Sequence, residues 1–302
     1  MAAVSDQPTI DLREPGGWRR SKNQIATVLM YLAFVIILIP LGLVIYEVIA
    51  KGAKAISWQF LTNSTIPPNV MPLGQGGMGA AVVGTLEITA FAAVIAVPLG
   101  VLGAIYINEY GGGGRSWLSA VISFMSNVMV GVPSIVMGLF IFTVWVIPHG
   151  LTGLSGFAGS LALACLMLPL VIRSTYEMLR LVPDHLREAS YALGATKSRV
   201  TLTVVLPSAL SGIVSGSLLA IARAAGETAP LLFTIGAVES TNSNLFSGAT
   251  TALPSQIFSN ALSPYVGAEE RAWGAALTLI VIAFILLFVA RIVTARFTRY
   301  AR

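Results

Sequence analysis

Two charged residues stand in the middle of the apolar run LLAIARAAGETAPLLF: Arg223 and Glu227, four positions apart. This spacing places both side chains on one face of a helix, where they can form an ion pair. Charges at membrane depth are costly unless they are paired or face water, so such residues are functional candidates. The planar fork of an arginine also matches phosphate-like oxyanions. Two interpretations stay open: an internal pair that locks the helices together, or an anion pathway or gate.

The residues around Glu227 predict a break in the helix that carries it. Pro230 lacks a backbone donor and crowds the carbonyl of Gly226, so we expect the helix to be kinked or opened there. Broken helices at membrane depth expose backbone groups only where these groups line a cavity. The break therefore favours a cavity beside the two charges, with Pro230 as a pathway or packing residue.

Six other charged residues lie in or near apolar segments, and one of them, Glu47, lies near the outer end of the first run. Glu87 lies about two turns into a second apolar run, where it either lines a cavity or bonds to a neighbouring helix. The others lie at the cytoplasmic ends of such runs, and we interpret them as side chains that extend to the membrane interface. They are Glu109, Arg173, Glu177 and Arg291.

Membrane-spanning helices must position these residues. The 302-residue chain is 56% hydrophobic and 10% charged, against about 25% charged residues in a soluble protein. Hydropathy and breaker residues predict an all-α integral membrane protein with six transmembrane helices. One membrane domain is expected at 25–302, after a tail at 1–24, with its core at 79–292. The spans are predicted near 25–50, 79–108, 117–147, 157–178, 208–238 and 272–292.

The positions of the lysines and arginines predict that both termini are cytoplasmic. Of the 18 basic residues, all but four flank the predicted spans on one side, which the positive-inside rule assigns to the cytoplasm. The exceptions are Lys51, Lys54, Arg223 and Arg271. Because the positive charge is used as a topology signal, it does not indicate nucleic-acid binding. We expect a multi-pass protein of the inner (plasma) cell membrane, surrounded by lipid.

The longest cytoplasmic segment, at 180–207, is predicted to form two short helices. The first is expected to start at Pro183, which suits a first helical turn, and to stop at Gly194. The second is expected from Thr196 to Leu206, ended by Pro207. Two helices are more than a connector needs, so the segment is a candidate docking surface for another protein.

This segment also contains a spaced motif of small residues closed by a proline. In order, it reads Glu188, Ala189 and Ser190, then Gly194, then after nine further residues Val204, Leu206 and Pro207. The pattern resembles the EAA loop of ABC importer permeases, Glu-Ala-Ala, then glycine, then Ile-x-Leu-Pro, with Ser190 and Val204 as mild departures. The resemblance implies that these residues form coupling helices that dock into a groove on a cytoplasmic ATPase.

Three further segments, VGTLEITAFAAVIAVPLGVLGAIYINEY, GVPSIVMGLF and ARAAGETAPLLF, are similar to the permease subunits of phosphate importers. The resemblance covers nearly the whole chain from residue 25. It implies a type I ABC importer permease fold, with Arg223 and Glu227 as intramembrane charges associated with phosphate passage. The glycines of the first segment independently favour close helix packing.

The same resemblance implies a set of partners. These are a second homologous permease, two ATPase subunits that bind ATP and Mg²⁺, and an extracytoplasmic phosphate-binding protein. The chain has no GxxxxGK[ST] loop of its own. We therefore expect a subunit that is not an enzyme, with no cofactor and no metal site.

Two alternative functions stay open. One is a permease for another oxyanion, such as sulfate, molybdate or phosphonate, because the EAA pattern does not discriminate among substrates. The other is a secondary transporter or channel that works alone, against which stand the docking loop and the lack of detectable repeated halves.

The outer loops near 51–78 and 239–271 are a candidate docking face for an outside partner. Cys165, the only cysteine, is interpreted as a small hydrophobic residue.

Overall fold

The computed structural model describes residues 17–65, 76–112, 116–236, 238, 242 and 244–300, and this part of the chain contains helices and no strand. The chain divides into two compact units, residues 1–49 and 50–302. Helix α1 (Gly17–Ala55) supplies the described part of the first unit and continues into the second. Its stretch 25–45 is mostly apolar and exposed on all sides, as expected for a helix that crosses a membrane.

The second unit contains the remaining helices of the described chain. Its first half contains α2 (Trp58–Thr62), α3 (Gly79–Ile105) with a π turn at Tyr106–Tyr110, α4 (Trp117–Gly131), α5 (Ser134–Ile141) with a π turn at Phe142–Val146, α6 (Ile147–His149) and α7 (Gly156–Arg180). Its second half contains α8 (Asp184–Ala192), α9 (Lys197–Val200) with a π turn at Thr201–Val205, α10 (Leu206–Ala225), α11 (Leu231–Thr234), α12 (Leu253–Ala261) and α13 (Val266–Tyr300).

The described helices confirm the predicted six-span membrane architecture. Five helical segments are long and apolar enough to cross a membrane, and a bent pair gives a sixth when its two helices are counted as one span. In order they are Arg20–Ala55, Gly79–Tyr110, the pair Trp117–Gly131 and Ser134–His149, Gly156–Arg180, Lys197–Ala225 and Val266–Val289.

The third span is not the continuous helix expected at 117–147. Its two halves, α4 and α5, meet at an angle of 109°. The cause is local: a residue before proline is restricted to extended backbone, and Val132 adopts φ −74° and ψ 129° before Pro133. The chain therefore turns sharply inside the apolar run.

The core of the second unit is built where small residues let helices approach closely. α3 packs along α7: a Cβ added at Gly100 would lie 2.7 Å from Val171 Cγ1. At Gly159 of α7, an added Cβ would lie 2.5 Å from Ile235 Cγ2. Such approaches are how membrane helices gain packing contacts when lipid is as apolar as the side chains. The close packing expected from the glycines is therefore confirmed.

The cytoplasmic segment contains one separate helix rather than two. α8 ends at Ala192, and Gly194 adopts φ +78°, a left-handed conformation that favours glycine. The predicted stop at Pro207 is wrong, because α9 runs through the π turn at Thr201–Val205 into α10. Pro207 lies in the first turn of α10, and a local π adjustment is one way in which a membrane helix accommodates a proline. The fifth span accordingly begins at Lys197 and not near residue 208.

Candidate functional site

Arg223 and Glu227 lie where α10 ends. Arg223 is in the last turn of the helix, and Gly226 caps it. The Arg223 Nε and Glu227 Oε1 atoms are 3.8 Å apart, with 69% and 24% of the two side chains exposed. This distance is that of an ion pair, longer than a hydrogen bond. The predicted pairing is present, but it is loose and its arginine is accessible.

A cavity of about 170 Å³ adjoins this pair. Three structural features form its wall: the bend between α4 and α5, the part of α7 around its internal proline, and the end of α10. Its lining residues are Met129, Val130, Val132, Ser134, Leu166, Met167, Pro169, Leu170, Ala220, Arg223, Ala224 and Glu227. Among these residues, Arg223 and Glu227 carry the only charges. The wall of the cavity therefore carries one cation and one anion among otherwise uncharged residues.

The predicted helix break is also present. α10 ends at Ala225, and the chain resumes as α11 with Pro230 at its N-cap. Pro230 is buried, and it packs so closely on α5 that a Cβ added at Gly138 would lie 2.5 Å from Pro230 Cα. The carbonyl of Pro230 accepts a hydrogen bond from Thr234 Oγ1 at 2.9 Å. Pro230 thus holds the break against the bent third span.

Glu87 does not line this cavity. It lies on an exposed face of α3, together with Val83, Leu86 and Val94. Its neighbour Ile88 belongs to the core cluster that contains Ala224, so Glu87 and Arg223 adjoin the same packed layer without sharing the cavity. Which of the two expected roles Glu87 has stays a prediction.

The residues of the EAA-like motif form the exposed end of the cytoplasmic segment. Glu188, Ala189, Gly194 and Pro207 are exposed, whereas Ser190, Val204 and Leu206 are partly buried. A Cβ added at Gly194 would meet open space, so the backbone conformation, and not crowding, favours glycine at this position. The docking role of the motif residues stays a prediction.

The structure adds to this surface an apolar residue that the sequence motif does not include. Leu193, directly before Gly194, is 89% exposed. Its place next to the predicted helix end could have indicated this, because an exposed apolar side chain in a turn favours contact with a partner protein.

A second missed feature is a buried ion pair at the cytoplasmic end of α3. Glu109 was expected to extend to the interface, but it is buried and lies 3.0 Å from Arg187 Nη2 of α8. The expectation was wrong because the fold brings an arginine 78 positions away over the carboxylate. No local sequence pattern could reveal this contact.

A larger cavity, about 820 Å³, lies in the second unit beside the loop that is predicted to face outward. It is lined by the end of α1 beyond residue 49, by α2 and by the start of α13, and its charged lining residues are Lys51, Lys54, Glu269, Glu270 and Arg271. Residues 66–75 of the same outer loop lie outside the described residues. The docking face expected there for an outside partner stays a prediction.

Among the described residues, no group of three or more histidine, cysteine, aspartate or glutamate side chains could hold a metal ion.

Comparison with solved structures shows the fold. The inward-facing MetNI methionine ABC transporter matches 74% of this chain and 97% of its own, with 23% identity and a TM-score of 0.54. A bacterial alginate ABC transporter, in complex with an alginate pentasaccharide-bound periplasmic protein, matches 93% of this chain and 98% of its own, with 15% identity and a TM-score of 0.59. The second unit therefore contains the permease fold of type I ABC importers.

Comparison of sequences shows the family. The family model for the binding-protein-dependent transport system inner membrane component matches residues 96–299. The phosphate transport system permease protein PstA 1 of Mycobacterium tuberculosis (strain CDC 1551 / Oshkosh) is 45% identical over 268 residues, 87% of this chain and 86% of the relative. The PstA protein of Yersinia pestis is 40% identical over 284 residues, 94% of each chain. The chain thus belongs to the binding-protein-dependent inner membrane transport components and, within them, to the PstA phosphate transport system permease proteins.

Proposed function

We propose that this chain is a permease subunit of an ATP-driven phosphate importer in the inner membrane and forms half of the phosphate pathway. The observation that carries the proposal is Arg223, an accessible arginine in the wall of a cavity beside a helix break. The names of the relatives, which are 40–45% identical over most of the chain, support phosphate as the substrate.

Arg223 binds the passing phosphate by exchanging one anion for another. Its guanidinium offers a planar fork of donors that matches phosphate oxygens, and 69% of the side chain is exposed, so these donors are accessible. Glu227, 3.8 Å away, neutralises the arginine when no phosphate is present. This alternation keeps the guanidinium paired with an anion whether or not phosphate is present.

The cytoplasmic segment couples this pathway to ATP hydrolysis in another protein. α8 and the exposed Leu193 dock into an ATPase, and Gly194 makes the tight turn that presents them. The complete importer contains a second homologous permease, two ATPase subunits that bind ATP and Mg²⁺, and an extracytoplasmic phosphate-binding protein. This chain lacks an ATP-binding loop of its own, and we assign it no catalytic step.

The test is phosphate uptake into vesicles that contain the assembled transporter. Arg223→Gln is expected to lower ATP-dependent uptake about tenfold or more, since a hydrogen bond to a charged group contributes roughly 1.5–3 kcal/mol. The matched control is Arg173→Gln, which removes an exposed arginine from an ion pair of the same i,i+4 spacing. Undiminished uptake in a normally assembled Arg223→Gln transporter would refute the pathway role. Uptake of sulfate or molybdate in preference to phosphate would instead identify the other oxyanion permease.

A further inference from the structure

We infer that the buried ion pair between Glu109 and Arg187 is a latch that fixes the coupling helix α8 to the cytoplasmic end of α3, so that α8 moves the second span directly. This inference rests on the proposed coupling role of α8. It adds a positioning pair, Glu109 and Arg187, to a segment whose exposed motif residues are expected only to touch the ATPase.

Arg187 makes a dense set of contacts. Its Nη2 donates to Glu109 Oε1 at 3.0 Å and to the carbonyl of Leu179 at 3.0 Å. Its Nη1 donates to the carbonyl of Val182 at 2.6 Å and to Asp184 Oδ1 at 2.9 Å. One side chain thus joins the end of α7, the start of α8 and the end of α3. Only 13% of Arg187 and 5% of the Glu109 side chain are exposed, so solvent screens this pair little.

The partner surface on α3 is the π turn at Tyr106–Tyr110. Glu109 lies in this turn, and Asn108 Nδ2 donates to the same Oε1 atom at 2.7 Å. π turns inside helices commonly mark functional positions, because the extra residue per turn re-aims a side chain. In this π turn, the carboxylate of Glu109 is buried and does not face water.

A second contact joins the same π turn to the other end of the cytoplasmic segment. Lys197 Nζ, at the start of α9, lies 5.2 Å from the centre of the Tyr110 ring, within the range of a cation–π interaction. Tyr110 stacks on Tyr106 at 6.4 Å, and the Tyr106 hydroxyl lies 3.2 Å from Ser116 Oγ before α4. Both ends of the coupling segment therefore rest on one turn of α3.

The need for a latch follows from how little else holds α8. Its nine residues are all described, and only Arg187 and Ser190 are partly buried while the other seven are exposed. Because α8 is mostly exposed, it has no packed interface through which its movement could displace the second span. Its few specific contacts must transmit that movement. A buried pair of this kind is weak evidence for stability, but its directional bonds fix one arrangement.

The experiment measures coupling rather than uptake alone. In vesicles with the assembled transporter, we expect Glu109→Gln to retain the bound ATPase. The phosphate moved per ATP hydrolysed should fall about fivefold, a typical size for the loss of one coupling contact. Glu109→Asp keeps the charge and is expected to restore a large part of that ratio. The matched control is Glu177→Gln, which removes an exposed ion pair at the cytoplasmic end of α7 and should leave the ratio unchanged.

The outcomes separate the latch from the proposed function. An unchanged ratio in Glu109→Gln, with the ATPase bound, would overturn the latch and leave the importer function intact. No ATP-dependent uptake by the unaltered transporter would overturn the function itself. If Glu109→Gln fails to assemble, Arg187→Lys decides, because lysine keeps the charge but lacks the planar fork that reaches Glu109 and two backbone carbonyls. A lowered ratio in Arg187→Lys, with the ATPase bound, supports the latch, and an unchanged ratio overturns it.

Discussion

Two ion pairs of the second unit, Arg223 with Glu227 and Glu109 with Arg187, differ in distance, in exposure and in the helices that they join. Arg223 and Glu227 lie on one helix, 3.8 Å apart, with the arginine open to a cavity. Glu109 and Arg187 lie on different helices, 3.0 Å apart and nearly buried, and the arginine also binds two backbone carbonyls. A loose, local pair leaves its cation available to a substrate, whereas a buried, multiply bonded pair fixes two elements together.

The energetic expectation follows the same division. Pairs that stay accessible to solvent contribute about 0–1 kcal/mol, so Glu227 can leave Arg223 at low cost. Removing one partner of a buried pair costs about 3–5 kcal/mol, because the other charge stays buried without compensation. An arginine and a glutamate can therefore exchange partners in the accessible pair, whereas in the buried pair they hold two helices together so that these move as one.

The largest expected effect tests this contrast directly. Glu109→Ala should lower the free energy of unfolding of the subunit by about 3 kcal/mol, whereas Glu227→Ala should lower it by less than about 1 kcal/mol. Thermal unfolding of the two purified variants in the same lipid nanodiscs provides the measurement. Equal destabilisation would show that the two pairs do not differ in kind.

A smaller effect is expected from disturbing the contact between Gly138 and Pro230, which lies after the helix break beside Glu227. Gly138→Leu places side-chain atoms where Pro230 already packs, and overpacking of this kind costs about 1–3 kcal/mol. Because Pro230 follows the break beside Glu227, phosphate uptake should fall while the ATPase stays bound. Gly42→Leu is the control, since an added Cβ at Gly42 has no atom within 4 Å. Normal uptake by Gly138→Leu would mean that the break does not shape the cavity.

The smallest expected change concerns the turn after α8. Gly194→Ala forces a left-handed backbone at φ +78° onto a residue with a Cβ, which costs about 1–2 kcal/mol. The space around Gly194 is open, so the loss should arise from backbone strain and weaken ATPase co-purification without unfolding the spans. Full retention of the ATPase would contradict a docking role that depends on this turn.

Local features of the sequence predicted much of this protein. The lengths of the apolar runs predict six spans, because a bilayer sets the length of a crossing helix. Pro230 predicts the break after Arg223, and Gly194 predicts the end of α8, because both residues act through their own backbone geometry. The i,i+4 pair of Arg223 and Glu227 is likewise local, so its spacing alone was sufficient.

Other features depended on contacts that only the tertiary structure makes. Pro133 produces a bend of 109° in the third span, whereas Pro207 is accommodated by a π turn within a continuing helix, and the prolines alone do not distinguish these outcomes. Glu109 looked like a side chain at the membrane interface until the fold placed Arg187 over it. What the sequence determined by itself were the spans, the break and the local pair, because each follows from neighbouring residues. The cavity wall and the buried latch were decided by packing between distant segments, because their energies depend on which surfaces meet.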